Sequence, residues 1–168
     1  SNQDFSDQQE QAGWSNHWYT SNEDGSSPYD PDKVESMKWT SSPGDWYYTW
    51  AGPGEWFQVN QGGAGPGVKN HAQLWAVRRW TSPLDGSVHL VAVVDRSNPH
   101  GDGVGCKIFL DGKEIYSKLI AANSKEHIDL PLTLTKGARL DFALTPGPAT
   151  DTAYDATGFR ITILTQPK

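Results

Sequence analysis

A single cysteine, Cys106, stands in 168 residues. It excludes an intrachain disulfide and any zinc site built on several thiolates. Basic clusters are missing too: 14 Lys and Arg against 20 Asp and Glu give a formal charge of -6. Nucleic acid and anionic membrane surfaces are held by concentrated Lys and Arg, so neither is an expected partner. No stretch approaches the roughly 20 consecutive apolar residues of a membrane helix, and no signal-peptide pattern opens the sequence. The five histidines, His17, His71, His89, His100 and His127, show no H-x-H or H-E-x-x-H spacing, which leaves them as structural or surface groups rather than a metal triad. A nucleophile elbow, a phosphate loop and a dinucleotide fingerprint are also lacking, so no catalytic residue is assigned.

Helical periodicity is the next absence. Seventeen Gly and eleven Pro interrupt any 3.6-residue pattern and favour turns. What remains is a two-residue alternation from residue 74 onward. Leu74 to Trp80 and Val88 to Val94 are expected strands. Gly105 to Leu110 and Lys113 to Leu119 flank Asp111-Gly112, a type I′ hairpin signal. Ile128 to Leu134, Arg139 to Leu144 and Gly158 to Thr165 follow. Pro131 cannot donate a ladder hydrogen bond, so its strand is expected at a sheet edge or a bulge. Cys106 lies on the apolar face of its strand with Val104, Ile108 and Leu110, the place of a buried small hydrophobe. The expected fold is all-β, an antiparallel β-sandwich or jelly roll, with one domain spanning residues 1–168.

Before residue 74 loops dominate. Phe5 is a candidate start for a first strand, and Trp46 to Trp50 and Glu55 to Val59 offer two short ones. Ser21 to Lys33 is polar and rich in turn residues. Gln61 to Gly67 carries too little side chain to pack as an element. All eight tryptophans nevertheless fall in this part or just beyond it, at Trp14, Trp18, Trp39, Trp46, Trp50, Trp56, Trp75 and Trp80. Indole area among Gly, Pro, Ser and Asn needs a reason for being there, and a flat ligand is one: a pyranose lays its C–H face on an aromatic ring while its hydroxyls meet polar neighbours. Trp14, Trp18 and Tyr19, together with Trp46, Tyr47 and Trp50, are the candidate stacking residues. Trp56, Trp75 and Trp80 sit in strand-like runs and read as core. Arg78 and Arg79, adjacent on a strand, point to opposite faces, so at least one is expected on the sheet surface, where it can grip sugar hydroxyls or a uronate.

Loop carboxylates supply two further ideas. Asp151 and Asp155, before the last strand, are candidate ligands for a structural Ca²⁺, a hard cation satisfied by loop oxygens. Glu10, Glu23 and Glu55 lie among the aromatics, but no spacing identifies a glycosidase pair.

Asp4-Phe5-Ser6, Gln9 to Trp14, Trp18-Tyr19, the run Ala76 to Gly86, and Gly101-Asp102-Gly103-Val104 leading to Asp111-Gly112 together resemble non-catalytic β-sandwich modules attached to secreted bacterial polysaccharide-degrading enzymes. That resemblance implies an extracellular jelly roll, a structural calcium, a polysaccharide ligand and an attached catalytic domain. Two alternatives stand beside it: a small β-sandwich glycosidase or lyase, and a protein-interaction or adhesion domain of a surface protein.

Overall fold

The computed structural model describes residues 5–40, 49–53, 57–148 and 152–165. Fourteen strands are described: β1 (Trp14–Thr20), β2 (Glu35–Ser36), β3 (Lys38–Thr40), β4 (Thr49–Ala51), β5 (Gln58–Asn60), β6 (Gly63–Gly65), β7 (Gly67–Lys69), β8 (Ala72–Thr81), β9 (Gly86–Arg96), β10 (Val104–Leu110), β11 (Lys113–Ile120), β12 (Ser124–Leu134), β13 (Arg139–Pro146) and β14 (Thr157–Thr165). They make two seven-stranded sheets. Sheet A runs β11-β10-β13-β8-β1-β2, with β7 added against β8, and sheet B runs β12-β9-β14-β6-β5-β4-β3. Every described pairing is antiparallel.

The expected sandwich is therefore the observed fold, and alternation builds its core. Leu74, Ala76 and Trp80 of β8, Val88, Leu90, Ala92 and Val94 of β9, Val104, Cys106 and Ile108 of β10, and Phe159 and Ile161 of β14 meet between the sheets. Fully burying one such aliphatic or aromatic side chain is worth about 1.5–3 kcal/mol, so this interior supplies the main drive for folding. Cys106 is buried there, and burial pushes its thiol up to about 12. Pro131 lies in β12, the edge of sheet B, where its missing N–H costs no ladder bond.

Three expectations fail before residue 74. Trp14 to Thr20, read as loop, is a full strand paired residue for residue with β8. Gly63–Gly65, read as too bare to pack, is a strand because it is bare: a Cβ on Gly63 would collide with the Thr157 carbonyl, so glycine lets β6 close on β14. Phe5 opens no strand; its ring packs tilted against Trp39, 5.8 Å between centroids.

Ser21–Lys33 is a loop, as expected, but it does not stand free. It crosses the outer face of sheet A and inserts Tyr29. That ring stacks on Phe109 at 4.1 Å and on Trp75 at 6.2 Å, and meets Tyr19 edge-on at 5.0 Å. Tyr19, Trp75, Val77, Phe109 and Ala143 thus form a second apolar cluster outside the sandwich, closed by Tyr29 and Val34.

Candidate binding site

Three places could receive a ligand: the outer face of sheet A, the end where β9 and β13 finish, and the opposite end where β1 begins.

On the outer face of sheet A the polar groups are turned inward to the segment crossing them. Arg79 donates from Nε to Asp141 Oδ1 at 2.6 Å and from Nη2 to Asp141 Oδ2 at 2.9 Å, and Nη2 also reaches the Pro31 carbonyl at 2.8 Å. Tyr29 donates its hydroxyl to Asp141 Oδ2 at 2.8 Å. Burial first, then the Asp141 charge and hydrogen bond, push the Tyr29 phenol far above its ordinary range, so it remains a donor. His17 Nε2 and Ser15 Oγ are 2.7 Å apart, and His17 Nδ1 is buried with no hydrogen-bond partner. Desolvation, helped by Arg79 and opposed by Asp141, lowers the imidazole to about 4, which makes it neutral at pH 7. This face is an assembled interior, not an open groove.

The sequence-expected residues divide accordingly. Tyr19 and Arg79 belong to that covered face. Arg78 points the other way, as the alternation requires, and is buried between the sheets with its guanidinium carbon 4.9 Å from the Trp14 ring centre and 5.9 Å from that of Phe5. Trp14 is only 6% exposed and Trp18 packs half-buried on the same core. Burial removes the broad faces of Trp14 and Tyr19, and the guanidinium of Arg78, from the role of exposed platform. Trp75 and Trp80 are core, as expected. Trp46, Tyr47, Trp56 and Asp151 lie outside the described residues. Trp50 takes part through its backbone, paired with Trp39 and Val59, and its side chain is likewise not described. Glu10 precedes β1 and Glu23 follows it. Seven residues rising about 3.3 Å each keep those carboxylates near opposite ends of the sandwich, too far apart for a glycosidase pair with each other.

The end where β9 and β13 finish is built around Arg96. Its buried guanidinium donates to the Asn98 carbonyl at 3.1 Å and the His100 carbonyl at 2.6 Å, and stands 4.0 Å from Asp155 Oδ1. One side chain thus ties the loop after β9 to the loop before β14. Gly101 has φ +88°, and a Cβ there would come within 2.7 Å of Arg96 Nη2, so only glycine lets the first loop fold this tightly. Above this floor stands Tyr154, 56% exposed and with φ +71°, its ring 5.3 Å from that of His100. A bulky aromatic in the left-handed region is strained, and strain of this kind persists where the surroundings hold it. Asn98 and Asp102 of the same loop are half-buried, Asn98 Oδ1 accepting from His100 N at 3.0 Å and the Asp102 carboxylate lying against Gly147. Sequence reasoning passed over both Tyr154 and His100. The signal was available: Tyr154 is an aromatic in a Gly, Pro, Thr and Asp loop, the same feature that drew attention to the tryptophans.

The calcium expectation meets Arg96 here. Among the described residues no three His, Cys, Asp or Glu groups converge as a metal site. Asp155 already has a guanidinium at its carboxylate, supplying the positive charge that a cation would bring. Asp151, the other expected ligand, lies outside the described residues, so the structure describes one half of the expected Ca²⁺ pair.

At the opposite end Trp14 and Trp80, cross-strand partners, help line a cleft of about 240 Å³, shared with Ala12, Pro83, Leu84, Thr162, Ile163 and Thr165.

No family model matches the chain, and no curated protein matches it. Similar solved structures include a family 51 carbohydrate-binding module from Clostridium perfringens in complex with methyl-galactose, at 10% identity and TM-score 0.42, over 61% of this chain and 80% of that one. A family 35 carbohydrate-binding module from an environmental isolate aligns at 11% identity and TM-score 0.36, over 60% of this chain and 66% of that one. A β-glucosidase from Kluyveromyces marxianus in complex with glucose aligns at 14% identity and TM-score 0.42, over 98% of this chain but 17% of its own length. Similarity at this level assigns neither family nor ligand, and the sandwich rests on the chain's own strand pairing.

Proposed function

We propose that this chain is a non-catalytic module that binds a polysaccharide at the Tyr154 end of the sandwich and holds an attached catalytic domain on that substrate outside the cell. The observation that carries the reading is the exposed Tyr154 ring, held in a strained backbone over a floor fixed by Arg96. A sugar ring can lie on the phenol while His100, and Asn98 next to it, meet its hydroxyls, the combination of one apolar platform and a few directional polar groups that small-ligand sites use. The carbohydrate-binding modules among the similar structures agree with this reading without carrying it.

Affinity electrophoresis against a panel of plant, algal and microbial polysaccharides tests it. Retention without release of reducing ends is expected. Tyr154→Ala should weaken it about tenfold, the loss of roughly 1.4 kcal/mol of stacking, with an unchanged melting curve. Reducing-end release by the intact chain would replace the module with the enzyme reading, and retention indifferent to Tyr154→Ala would remove this end as the site. The loop itself is checked with chelator. Since Arg96 supplies the charge at Asp155, EDTA is expected to leave Tm where it is, whereas a Tm lowered by EDTA and restored by calcium would return the metal to this loop.

A further inference from the structure

The cleft beneath Trp14 and Trp80 is a site of a different kind. It lies at the end of the sandwich where β1 begins and β14 finishes, a strand length away from Tyr154. None of its lining residues, Trp14, Trp80, Ile163 and Thr165 among them, is charged. Its volume of about 240 Å³ exceeds the roughly 150 Å³ that holds a benzene ring inside a protein, which is room for one six-membered ring with small substituents and not for a chain.

Polar groups reach it from one direction. β14 pairs with β6 only at Thr157 and Gly158, and among the described residues no strand continues along that edge, the one turned away from β9, below that point. Phe159 gives its N–H to Gly62 on this side. Because the backbone groups of alternate residues share a side, those of Ile163 and Thr165 point to the same edge. The alternation also turns Thr165, like Phe159 and Ile161, toward the inner side, bringing its hydroxyl to the mouth of the cleft. The wall opposite is unusual in a second way. Glu10 (φ 67°), Ala12 (φ 51°) and Gly13 (φ 81°) are all left-handed, and the Gly13 carbonyl accepts from Thr81 N at 2.9 Å. A Cβ on Gly13 would stand 2.7 Å from the Thr81 carbonyl. This strained turn packs against the Trp80 indole, where a Cβ on Gly13 would stand 3.3 Å from Nε1, and so fixes one wall of the cleft, the kind of locally costly geometry that accompanies ligand sites.

We infer that this cleft binds a single uncharged sugar ring, its apolar face against the Trp14 and Trp80 indoles and its hydroxyls on the Thr165 side chain and the free edge of β14. It is a second site, independent of Tyr154. In a chain with both, two ends of the sandwich engage separate sugars, and the gain on a polymer is one of effective concentration rather than of new contacts.

The test uses the intact chain and methyl glucosides and methyl galactosides as probes, with glucuronate as the charged counterpart. Indole N–H resonances of Trp14 and Trp80 are followed by NMR. The uncharged probes are expected to shift both with millimolar dissociation constants, on the order of 4 kcal/mol, and glucuronate to shift them less. Thr165→Trp, which fills the mouth, should abolish the shifts, and Thr165→Val, which changes only the hydroxyl, should weaken binding several-fold even if the larger substitution does not fold. Tyr154→Ala should leave these shifts intact. Silent indoles at saturating probe, or shifts lost in Tyr154→Ala and retained in Thr165→Trp, would overturn the inference. A chain whose indoles respond but which no polysaccharide retains would keep this site and lose the other.

Discussion

The two outer faces of this sandwich obey the same alternation and end differently. On sheet A the outward residues are Ser15, His17, Tyr19, Trp75, Val77, Arg79, Phe109 and Asp141, and the chain's own segment Ser21–Lys33 covers them with Tyr29. On sheet B they are His89, Val91 and Val93 of β9, flanked in register by His127, Asp129 and Pro131 of β12 and by Arg160, Thr162 and Leu164 of β14, and the two flanking strands leave theirs exposed. Aromatic density on a sheet therefore does not identify a ligand platform. Here it marks the place where the protein lays a second layer on itself, and the faces available to ligands lie at the ends.

The two faces should respond to equivalent changes very unequally. Asp141→Asn removes the acceptor of Arg79 and Tyr29 where the carboxylate is completely buried and the arginine side chain is 12% exposed. A loss of about 3–5 kcal/mol in urea unfolding is expected, because a buried cation is left without its partner. A loss below about 1 kcal/mol would mean that the segment Ser21–Lys33 is a loose cover and that the face beneath it can open.

Acid should act on the same face. The fold holds His17 neutral, with its ionisation lowered from 6.5 to about 4, so the unfolded chain takes up the proton first. Stability contributed by His17 is complete above about pH 6.5 and falls between there and about pH 4, by at most about 3 kcal/mol. Unfolding free energies for the native chain and His17→Gln should run parallel above neutrality and converge toward pH 4; curves parallel throughout would take His17 out of the acid response.

The smallest effect belongs to sheet B. His89 and Asp129 are 3.1 Å apart with side chains 40% and 69% exposed, so Asp129→Asn should change stability by no more than about 0.5 kcal/mol. A change as large as that of Asp141→Asn would erase the contrast between the faces.

The legible half of this chain is the half where one side of each strand is apolar and the other polar. β9, β12 and β14 declare themselves because sheet B faces solvent, and β10 and β11 of sheet A because the hairpin at Asp111-Gly112 is marked by its turn chemistry. β1 did not, since both of its faces are buried: Trp14 and Trp18 look inward, Tyr19 lies under the covering segment, and Ser15 and Asn16 are buried polar residues that mimic loop composition. β6 was hidden by the glycines that make it possible. For the sites, the rule that loop aromatics signal binding was sound as physics and misapplied as counting. It selected Trp14 and Tyr19, whose neighbours bury them, and overlooked Tyr154, whose backbone strain no sequence displays.

Tyr29 and Asp141 are separated by 112 positions in the chain, and the Arg79–Asp141 pair that receives Tyr29 is brought together by the pairing of β8 with β13. The Gly112 turn adds a further requirement, because Pro31 packs so closely on it that a Cβ would meet Pro31 at 2.9 Å. Docking of Ser21–Lys33 is therefore expected late in folding, on an assembled sheet A whose pairings have already met the loop-closure cost, and Tyr29→Phe is expected to speed unfolding more than it slows refolding. Interactions made that late hold the native state chiefly by slowing its escape. The segment works as a clasp in time: it adds little to the speed at which the chain finds its fold and much to how long it stays there.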